Sequence, residues 1–491
     1  MKSKFSKVLS ILLSVVLVIS SFYLLYQVIR LNVLPSKFLF PLTIGVVVLD
    51  AIFILLLIYF SKNVVSKIIC IVLTLFICAA SCMGGYYISK TQNVLSSITN
   101  VAKHAKNTVS VIVKESSFIK NKSQLNGVSV GSLRLNEQGS KKALKELSSE
   151  GIVLNQTEYD SMTTLLEAFY NGEVDSIIIN ESSRSQILDM EAYSNFDSNT
   201  RVVYQTSYKV KNNDSATSVS DITSKPFNVL ISGSDTRGGF DENGRSDVIM
   251  IATVNPKTHT ILLTSVPRDF YVTTACDAGD GCMQGALDKI THTGIHGTNT
   301  TKRTVEQLLG IEINYTFKVG FDTVTELVDV LGGVDVYVEP GYATTTSQFS
   351  VHEGVNHLNG EQALAFARER YSYTEGDRQR TKNQQQVLMG IVKEATKPSV
   401  ITNYATIMDT MANTFSTTMS NEEITDLIKY QLNNNPTWKM EQYMVDGTGD
   451  TLMCAELGDA ASVMVPDQST VKMAKDKINA VLAGKSSEDV K

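Results

Sequence analysis

Charged side chains stand at the ends of three apolar runs in the middle of the sequence. They are Asp235 after residues 227–234, Asp247 at the start of residues 246–254, and Arg268 after residues 260–266. Carboxylate oxygens are hard ligands suited to Mg²⁺ or Mn²⁺, and a guanidinium offers a rigid donor fork that grips phosphate. A ligand that needs both is a metal-bound diphosphate, so we interpret the cluster as a diphosphate site.

Arginine is used sparingly in this chain, which has 12 Arg against 32 Lys. Seven of the arginines fall in short motifs: Arg237, Arg245, Arg268, Arg368, Arg370, Arg378 and Arg380. Lysine cannot reproduce the bidentate grip of a guanidinium, so this gathering indicates an anion site. The alternative is a set of structural ion pairs with nearby acids, because buried pairs also favour arginine.

These side chains need a scaffold that brings several strand ends together. The three apolar runs are rich in β-branched residues and charged only at an end, which is typical of buried strands, and open α/β sheets place ligands at strand ends. Further patterns predict helices at 283–295, 302–309, 322–331, from 358 onward and at 380–393, with strands at 315–321 and 334–338. The predicted fold class of residues 225–485 is therefore α/β, a mixed β-sheet flanked by helices.

Residues 100–220 form a second predicted module, a small α/β accessory domain without a catalytic grouping. Its patterns are a helix at 143–150, a strand at 151–154, a helix from near Tyr159 to Gly172 and a strand at 175–180. The second helix places four apolar side chains on one face: Met162, Leu165, Leu166 and Phe169. The polar, Ser-rich run 211–220 reads as a linker to the main module.

Residues 1–90 predict a membrane anchor. Three apolar stretches, 8–29, 38–60 and 64–88, are each long enough for the ~20 residues that cross a bilayer. Lysines at positions 2, 4 and 7 place the amino terminus in the cytoplasm, which puts the chain beyond residue 90 outside the cell. Asp50 lies near the centre of the second stretch, where an ionisable residue is either functional or a contact between helices.

Composition argues against several functions. The net charge is −6 and there is no basic block, so nothing favours nucleic acid as a partner. The sequence has no Gly-x-Ser-x-Gly elbow and no phosphate-binding loop that ends in Gly-Lys-Ser/Thr, which disfavours a serine hydrolase or a nucleotide-driven kinase. His292 and His296 have a spacing that could ligate zinc from one helix face, but no His-Glu-x-x-His motif and no obvious third ligand accompany them.

Cysteine placement allows a local disulfide outside the membrane. Cys276 and Cys282 are separated by five residues, and their pairing would leave Cys454 unpaired. Three external cysteines allow several pairings, and the sequence does not choose among them.

A series of motifs follows between residues 225 and 395. They are 233–237 (GSDTR), 244–247 (GRSD), 265–269 (SVPRD), Lys289-Ile290, 331–334 (LGGV), 357–364 (HLNGEQAL), 368–370 (RER), Gly376-Asp377 and 384–386 (QQQ). Together they resemble the LytR-CpsA-Psr family, and the three membrane stretches with an intervening module resemble its capsule-associated streptococcal, CpsA-type branch. Where the family commonly has paired basic residues after Arg380, this chain has Lys382 and Asn383, so these two positions receive no phosphate contact.

The resemblance implies an extracytoplasmic phosphotransferase of Gram-positive bacteria, anchored in the cell membrane. Such enzymes move a finished capsular polysaccharide or related anionic glycan from an undecaprenyl-diphosphate carrier onto peptidoglycan. The expected partners are the lipid-linked polysaccharide, the peptidoglycan acceptor and membrane lipid, with capsule-synthesis proteins as further partners. The resemblance also implies an apolar tunnel for the prenyl chain.

The same resemblance, together with the residue types, assigns roles to individual side chains. The expected metal ligands for Mg²⁺ (or Mn²⁺) are Asp235 and Asp247. The expected diphosphate contacts are Arg237, Arg245, Arg268, Arg368, Arg370, Arg380 and Gln384. The arginines would neutralise charge that grows in the transition state, and Arg245 and Arg268 are the expected catalytic members.

Two of these assignments carry conditions. Asp377 is the third expected catalytic residue, as an orienting group or as a base towards the acceptor hydroxyl, and a structural pairing with Arg380 is the alternative. Arg368 and Arg370 would diverge on a continuous helix, so both reach one ligand only if the helix ends or bends there.

Two other functions suit the same residues. The first is a membrane receptor or regulator of capsule synthesis that binds a lipid-linked glycan without turning it over. The second is a lipid pyrophosphatase that cleaves the carrier diphosphate with the same aspartates and arginines.

Overall fold

The computed structural model of the protein describes residues 2–60, 63–99, 104–134, 137–234, 242–277, 282–397, 400–411 and 415–490. The chain forms two compact units. The first comprises Met1–Thr99, Val392–Ala412 and Ser420–Thr437, and the second comprises Asn100–Ile391, Asn413–Met419 and Trp438–Lys491.

Three long helices open the first unit: α1 (Lys2–Leu31), α2 (Ser36–Leu55), which continues as a π-helical turn Leu56–Phe60, and α3 (Val64–Thr99). All three are long and apolar enough to span a membrane, as predicted. Gly85 of α3 lies so close to the ring of Tyr23 that an added Cβ would be 2.5 Å from it, which lets α1 and α3 approach closely. The hydroxyl of Ser21 donates to Oδ1 of Asp50 at 2.9 Å, so Asp50 contacts a neighbouring helix.

An accessory domain opens the second unit, with five strands and four α-helices in the part of it that the structure describes. Its elements are β1 (His104–Lys114), β2 (Ser129–Leu133), α4 (Glu137–Ser149), β3 (Asn155–Tyr159), α5 (Met162–Asn171), β4 (Ser176–Asn180), α6 (Arg184–Asp189), α7 (Phe196–Asn199) and β5 (Thr200–Lys211). The sheet order is β3-β2-β4-β1-β5, with β2 parallel to both neighbours and β1 antiparallel to both of its own.

The sequence patterns locate most of this domain correctly. The amphipathic helix is confirmed as α5, where the Ser161 hydroxyl accepts a hydrogen bond from the backbone N–H of Thr164 and Gly172 ends the helix at φ 81°. The strand predicted at 151–154 is wrong, because Gly151 turns the chain at φ 81° and the strand begins at Asn155. That strand lies at the sheet edge and is mostly exposed, so its polar sequence carries no apolar signal.

The rest of the chain supplies fourteen strands and seven helices among the described residues. They are β6 (Phe227–Ser234), β7 (Ser246–Asn255), β8 (Thr260–Ser265), β9 (Tyr271–Thr273), β10 (Leu287–Lys289), α8 (Thr298–Leu309), β11 (Tyr315–Gly320), α9 (Phe321–Leu331), β12 (Val334–Val338), β13 (Thr344–Thr345), β14 (Ser350–Val351), β15 (Gly354–Leu358), α10 (Gly360–Arg368), α11 (Asp377–Ala395), α12 (Val400–Met411), β16 (Phe415–Thr417), α13 (Asn421–Asn434), β17 (Lys439–Met444), β18 (Gly447–Cys454), β19 (Asp459–Pro466) and α14 (Gln468–Leu482).

A six-stranded mixed sheet forms the centre of this part, in the order β16-β11-β6-β7-β8-β17. Strands β11 and β17 run parallel to β6 and β8, and the remaining neighbours are antiparallel. Apolar residues of β6, β7 and β8 pack with α8 and α14 in one buried core. The predicted fold class, a mixed β-sheet flanked by helices, is confirmed.

Two segments of the chain differ from the predictions made from sequence patterns. The helix predicted at 283–295 is wrong: β10 and a 3₁₀ helix, Ile290–His296, stand there. Gly294 lies against Gly244 and Ser246, where an added Cβ would be 2.5 Å from the carbonyl oxygen of Gly244, and this tertiary contact outweighs helix propensity. Helices α12 and α13 belong to the first unit, where Lys90 of α3 pairs with Asp409 at 2.6 Å, whereas the sequence analysis grouped them with the sheet.

The hairpin of β18 and β19 completes the accessory domain. Cys454, Leu457 and Val463 pack in the same buried cluster as Leu165 and Phe169. Burial raises the pKa of the Cys454 thiol to about 12, so this cysteine is an inert packing residue. The local disulfide between Cys276 and Cys282 is confirmed.

Candidate active site

Antiparallel pairing brings three chain segments together at one end of the central strands β6, β7 and β8. The end of β6 pairs with the start of β7 at Ser234 and Ser246, and the end of β8 pairs with Met250 of β7. Asp247 therefore begins a strand beside the point where the chain leaves β8 for Arg268. Of the strand-end cluster expected from the sequence, Asp247 and Arg268 meet here, and Asp235 lies outside the described residues.

Asp247 and Arg268 make direct contact there. Nη1 of Arg268 donates to Oδ1 of Asp247 at 2.9 Å, and the Thr291 hydroxyl donates to the same oxygen at 3.3 Å. Nη2 of Arg245 lies 3.7 Å from Oδ2 of Asp247. The side chains of Arg245 and Asp247 are each 8% exposed and that of Arg268 is 14% exposed. A carboxylate between two guanidinium groups is thus held almost out of contact with water.

Helix α11 carries the remaining charges of the site. Nη2 of Arg380 lies 2.5 Å from Oδ1 of Asp377, and the Arg380 side chain is 11% exposed. The helix is held to the sheet by the buried amide of Gln385, which donates to the carbonyl oxygens of Leu263 and Tyr443 at 3.3 and 2.8 Å. These contacts set Asp377 and Arg380 beside the ends of the strands. We call Arg245, Arg268 and Arg380 the arginine cluster.

Electrostatics connect the arginine cluster into one site. Burial alone would raise the pKa of Asp247, but Arg245, Arg268 and Arg380 outweigh it and hold that pKa below its usual range. Burial likewise opposes the charge on Arg268, yet Asp247, Asp269 and Asp377 raise its pKa overall. For Arg380, burial and the nearby charge of Arg268 lower the pKa. Asp247 is therefore ionised, and its negative charge compensates part of the positive charge of the arginine cluster.

Buried donors of the cluster point to what it can bind. The Nε atoms of Arg268 and Arg380 are buried, and no hydrogen-bond partner is found for them in the part of the chain that the structure describes. Buried polar groups are normally hydrogen-bonded, so such donors mark a strained or ligand-binding position. Guanidinium donors arranged in this way suit the oxygens of phosphate.

Sequence comparison agrees with this geometry. The sequence profile of the LytR-CpsA-Psr family matches residues 192–480. The chain belongs to the LytR-CpsA-Psr family. Its match runs from just after α6 into α14, and thus includes every described residue of the arginine cluster.

Relatives within the family have named activities. The chain is 31% identical over 241 residues to the polyisoprenyl-teichoic acid–peptidoglycan teichoic acid transferase TagU of Bacillus cereus, a match over 48% of this chain and 76% of the relative. It is 34% identical over 203 residues to TagU of Bacillus subtilis, over 41% and 63% of the two chains. Among solved structures, B. subtilis TagU matches at 29% identity with a TM-score of 0.41, over 52% and 97% of the two chains. Protein gbs0355 of Streptococcus agalactiae matches at 26% identity with a TM-score of 0.46, over 53% and 89%.

The predicted site residues divide into groups within the LytR-CpsA-Psr fold. The structure brings Arg245, Asp247, Arg268, Asp377 and Arg380 together. Asp235 and Arg237 lie outside the described residues. Gln384 is partly buried, one helical turn beyond Arg380 on α11.

Arg368 and Arg370 are separated by the end of a helix, which is the condition set for both to reach one ligand. Helix α10 ends at Arg368, and Glu369 is extended at φ −68° and ψ 128°. Arg368 is exposed at this end. Arg370 stacks on the ring of Tyr371 at 4.7 Å and lies near enough to lower the pKa of Arg380. The site contact of Arg368 stays a prediction.

The accessory domain also contributes a residue that the sequence analysis missed. Asp189, at the end of α6, forms an ion pair with Arg245. Fifty-six residues and a module boundary separate the two in the sequence, so no local pattern relates them. Thr291 was missed as well, although it follows the Lys289-Ile290 motif directly.

Both histidines of the zinc alternative have carboxylate partners of their own. Nδ1 of His292 is 2.7 Å from Asp288, and Nε2 of His296 is 2.8 Å from Glu456. Across the described ranges, no group of three His, Cys, Asp or Glu side chains is arranged to hold a metal ion. The first pair joins the 3₁₀ helix to β10, and the second joins it to the loop between β18 and β19.

Proposed function

We propose that this protein transfers a capsular polysaccharide or a related anionic glycan from an undecaprenyl-diphosphate carrier to peptidoglycan, with the second unit outside the cell. The observation that carries the proposal is the buried arginine cluster around Asp247. Family membership and the teichoic acid transferases among the relatives support the same reaction class. Three spanning helices after a lysine-rich amino terminus support the orientation.

The reaction can be written from the residues present. A hydroxyl of peptidoglycan attacks the phosphorus that bears the glycan, a new phosphate ester bond forms, and the bond to the other phosphate breaks. Undecaprenyl phosphate leaves, and the hydroxyl proton is lost to a base. Arg268 and Arg380 hold the phosphate oxygens and stabilise the charge that grows on them. Asp377 orients Arg380 through its ion pair and is the candidate base.

A divalent cation fits the charge balance of the site. The three guanidinium groups of the arginine cluster and the ammonium of Lys289 are matched by four carboxylates, those of Asp189, Asp247, Asp269 and Asp377. A diphosphate therefore enters a site whose own charges are balanced, and additional positive charge is needed to hold it.

The donor set agrees with this requirement. Oδ2 of Asp247 lies 3.7 Å from Nη2 of Arg245, and Mg²⁺ in proteins is commonly held by one or two carboxylates plus substrate phosphates. Asp247, with Asp235 as a second ligand, would hold the ion. Bound there, Mg²⁺ would supply charge neutralisation at the diphosphate oxygens.

Reconstitution tests the proposal. The full chain in vesicles receives an undecaprenyl-diphosphate-linked capsular oligosaccharide, Mg²⁺ and peptidoglycan. A covalent glycan–peptidoglycan product supports the transferase. Phosphate release without an acceptor would instead identify a lipid pyrophosphatase, and tight binding without turnover would identify a receptor or regulator.

Mutation of the cluster provides the matched comparison. Arg268→Ala and Asp247→Ala should abolish product formation while the protein still reaches the membrane. Arg303→Ala is a suitable control, because Arg303 forms an exposed ion pair with Asp277 outside the cluster. Wild-type product yield from Arg268→Ala would contradict the site.

A further inference from the structure

A polar cavity of about 560 Å³ opens beside the arginine cluster. Its walls come from β1, β5 and the region around α6 of the accessory domain on one side and from residues 242–245 on the other. A volume of this size lies within the ~300–1,000 Å³ range of small-molecule sites. The cavity is therefore large enough for a ligand of several rings.

The wall at residues 242–245 is fixed by the accessory domain. Glu242 is buried and accepts a hydrogen bond from the Thr108 hydroxyl of β1, and Lys106 of β1 pairs with it at 3.3 Å. Nζ of Lys318 donates to the carbonyl oxygen of Glu242 at 2.7 Å. Such a restrained wall is preorganised, which lowers the cost of ordering it when a ligand binds.

Charged groups in the cavity are mostly satisfied by one another. Arg184 pairs with Glu181 at 2.6 Å and with Asp197 at 3.0 Å. Arg201 pairs with Glu115 at 2.8 Å and donates to nearby carbonyl oxygens. The cavity therefore does not present a free block of one charge that would select a highly charged ligand.

Neutral hydrogen-bonding groups make up much of the remaining surface. Hydroxyls and amides line the space: Ser182, Ser185, Gln205, Ser207 and Asn243. Val202 is the single apolar side chain among the described lining residues, so the cavity is unsuited to a prenyl chain. Dense hydroxyl and amide groups beside paired charges suit a ligand rich in hydroxyls, which is the chemistry of a sugar.

Arg245 connects the cavity to the arginine cluster. It lines the cavity, pairs with Asp189 of the accessory domain and lies 3.7 Å from Asp247. Arg245 is thus shared between the cavity and the contacts of Asp247, to which Arg268 also donates. With a diphosphate held by Arg268, the sugars joined directly to it would lie on the side of the site where Arg245 meets the cavity.

Resting on the proposed function, we infer that this cavity binds the sugars of the donor glycan that adjoin the diphosphate. The accessory domain then serves as the glycan-binding wall of the active site. The sugars of the peptidoglycan acceptor share the same chemistry, and the experiment separates the two sources.

Filling the cavity tests the inference. Ser207→Trp places a large ring inside it from β5, and Asn243→Ala removes one amide without adding volume. Ser149→Trp, on the exposed end of α4, makes the same change outside the cavity. The full-length variants are assayed in vesicles for binding of glycan-bearing undecaprenyl diphosphate, of sugar-free undecaprenyl diphosphate and of soluble peptidoglycan fragments.

We expect Ser207→Trp to weaken binding of the glycan-bearing lipid by roughly tenfold or more, and Asn243→Ala by about threefold to tenfold, because hydrogen bonds to sugar hydroxyls are lost. Affinity for the sugar-free lipid should match that of wild type and of Ser149→Trp, which also verifies folding. Weaker binding of the peptidoglycan fragments alone would overturn the assignment to the donor. Equal loss for both lipids, or no loss for either, would overturn the cavity as a sugar site.

If the proposed transferase function is wrong, a different set of results is expected. Wild type then forms no glycan–peptidoglycan product, and Arg268→Ala binds the sugar-free lipid as well as wild type does. A glycan-specific loss in Ser207→Trp under those conditions would still support sugar binding in the cavity.

Discussion

Arg268→Lys separates the charge of this residue from the shape of its guanidinium. In the structure one nitrogen of Arg268 donates to Asp247, while the buried Nε has no hydrogen-bond partner in the described ranges. In the proposed complex the remaining donors bind a phosphate oxygen. A lysine presents all its donors on one nitrogen atom. It can donate to Asp247 or to the phosphate, but it cannot reach both at once.

The expected loss in turnover follows from this geometry. Removing one preorganised donor that acts on the transition state costs about 3–4 kcal/mol, or roughly 10²–10³-fold in the rate of transfer. Stability should change little, because the retained positive charge still compensates the buried carboxylate of Asp247. Arg268→Ala removes that charge, and unpairing a buried ion pair costs about 3–5 kcal/mol.

The assay is transfer of labelled oligosaccharide from its undecaprenyl-diphosphate carrier to peptidoglycan, with thermal unfolding measured in parallel. Arg378→Lys is the matched control. Arg378 also lies on α11, but it forms a half-exposed ion pair with Asp446 at 2.6 Å. Transfer by Arg268→Lys within about threefold of wild type would refute the reasoning, as would an equal loss in Arg378→Lys.

Three further predictions follow from the same contacts. Asp189→Ala should reduce transfer by about threefold to thirtyfold, with Asp189→Glu restoring it, because Asp189 positions Arg245; failure of rescue would argue against positioning. Asp247→Asn should shift the Mg²⁺ concentration needed for binding of undecaprenyl diphosphate, titrated after EDTA treatment, to higher values, and an unchanged Mg²⁺ titration curve would exclude Asp247 as a ligand. The buried Glu441 pairs with Lys439 and binds Ser486 and Ser487, and although burial opposes ionisation its pKa falls to about 2. Because folding lowers this pKa from 4.5, ionised Glu441 stabilises the folded protein above about pH 4.5, and this stabilisation is lost as the pH falls towards 2. Glu441→Gln should therefore lower Tm at pH 7 and reduce the fall in Tm between pH 4.5 and pH 2. Parallel Tm curves for wild type and variant would contradict this.

Some features of the fold are local enough to be predicted from sequence. The strands β6, β7 and β8 are runs of apolar residues typical of a buried sheet. The spacing of Leu165 and Phe169 predicts which face of α5 is buried. The helix ends between Arg368 and Arg370, which is the condition for both side chains to reach one ligand. Each of these features depends on neighbours within a few residues.

Other features depend on distant parts of the chain. The edge strand β3 is polar because one side meets solvent, so periodicity points to the wrong residues. The stretch before His296 forms β10 and a 3₁₀ helix because Gly294 must pass close to Gly244. Helices α12 and α13 have amphipathic faces, and sequence does not say that α3 is the neighbour they cover.

The sequence by itself determined the chemistry of the site: which acids and guanidinium groups are available, which strand ends carry them and that a membrane anchor precedes them. Only the tertiary structure decided that Asp189 of the accessory domain meets Arg245 and that a polar cavity opens between the accessory domain and residues 242–245. The physical reason is the separation along the sequence of the residues that make each contact. Helix and strand signals arise from contacts between residues close in sequence, whereas an ion pair between modules depends on how two distinct buried cores pack within one unit, which no local pattern encodes.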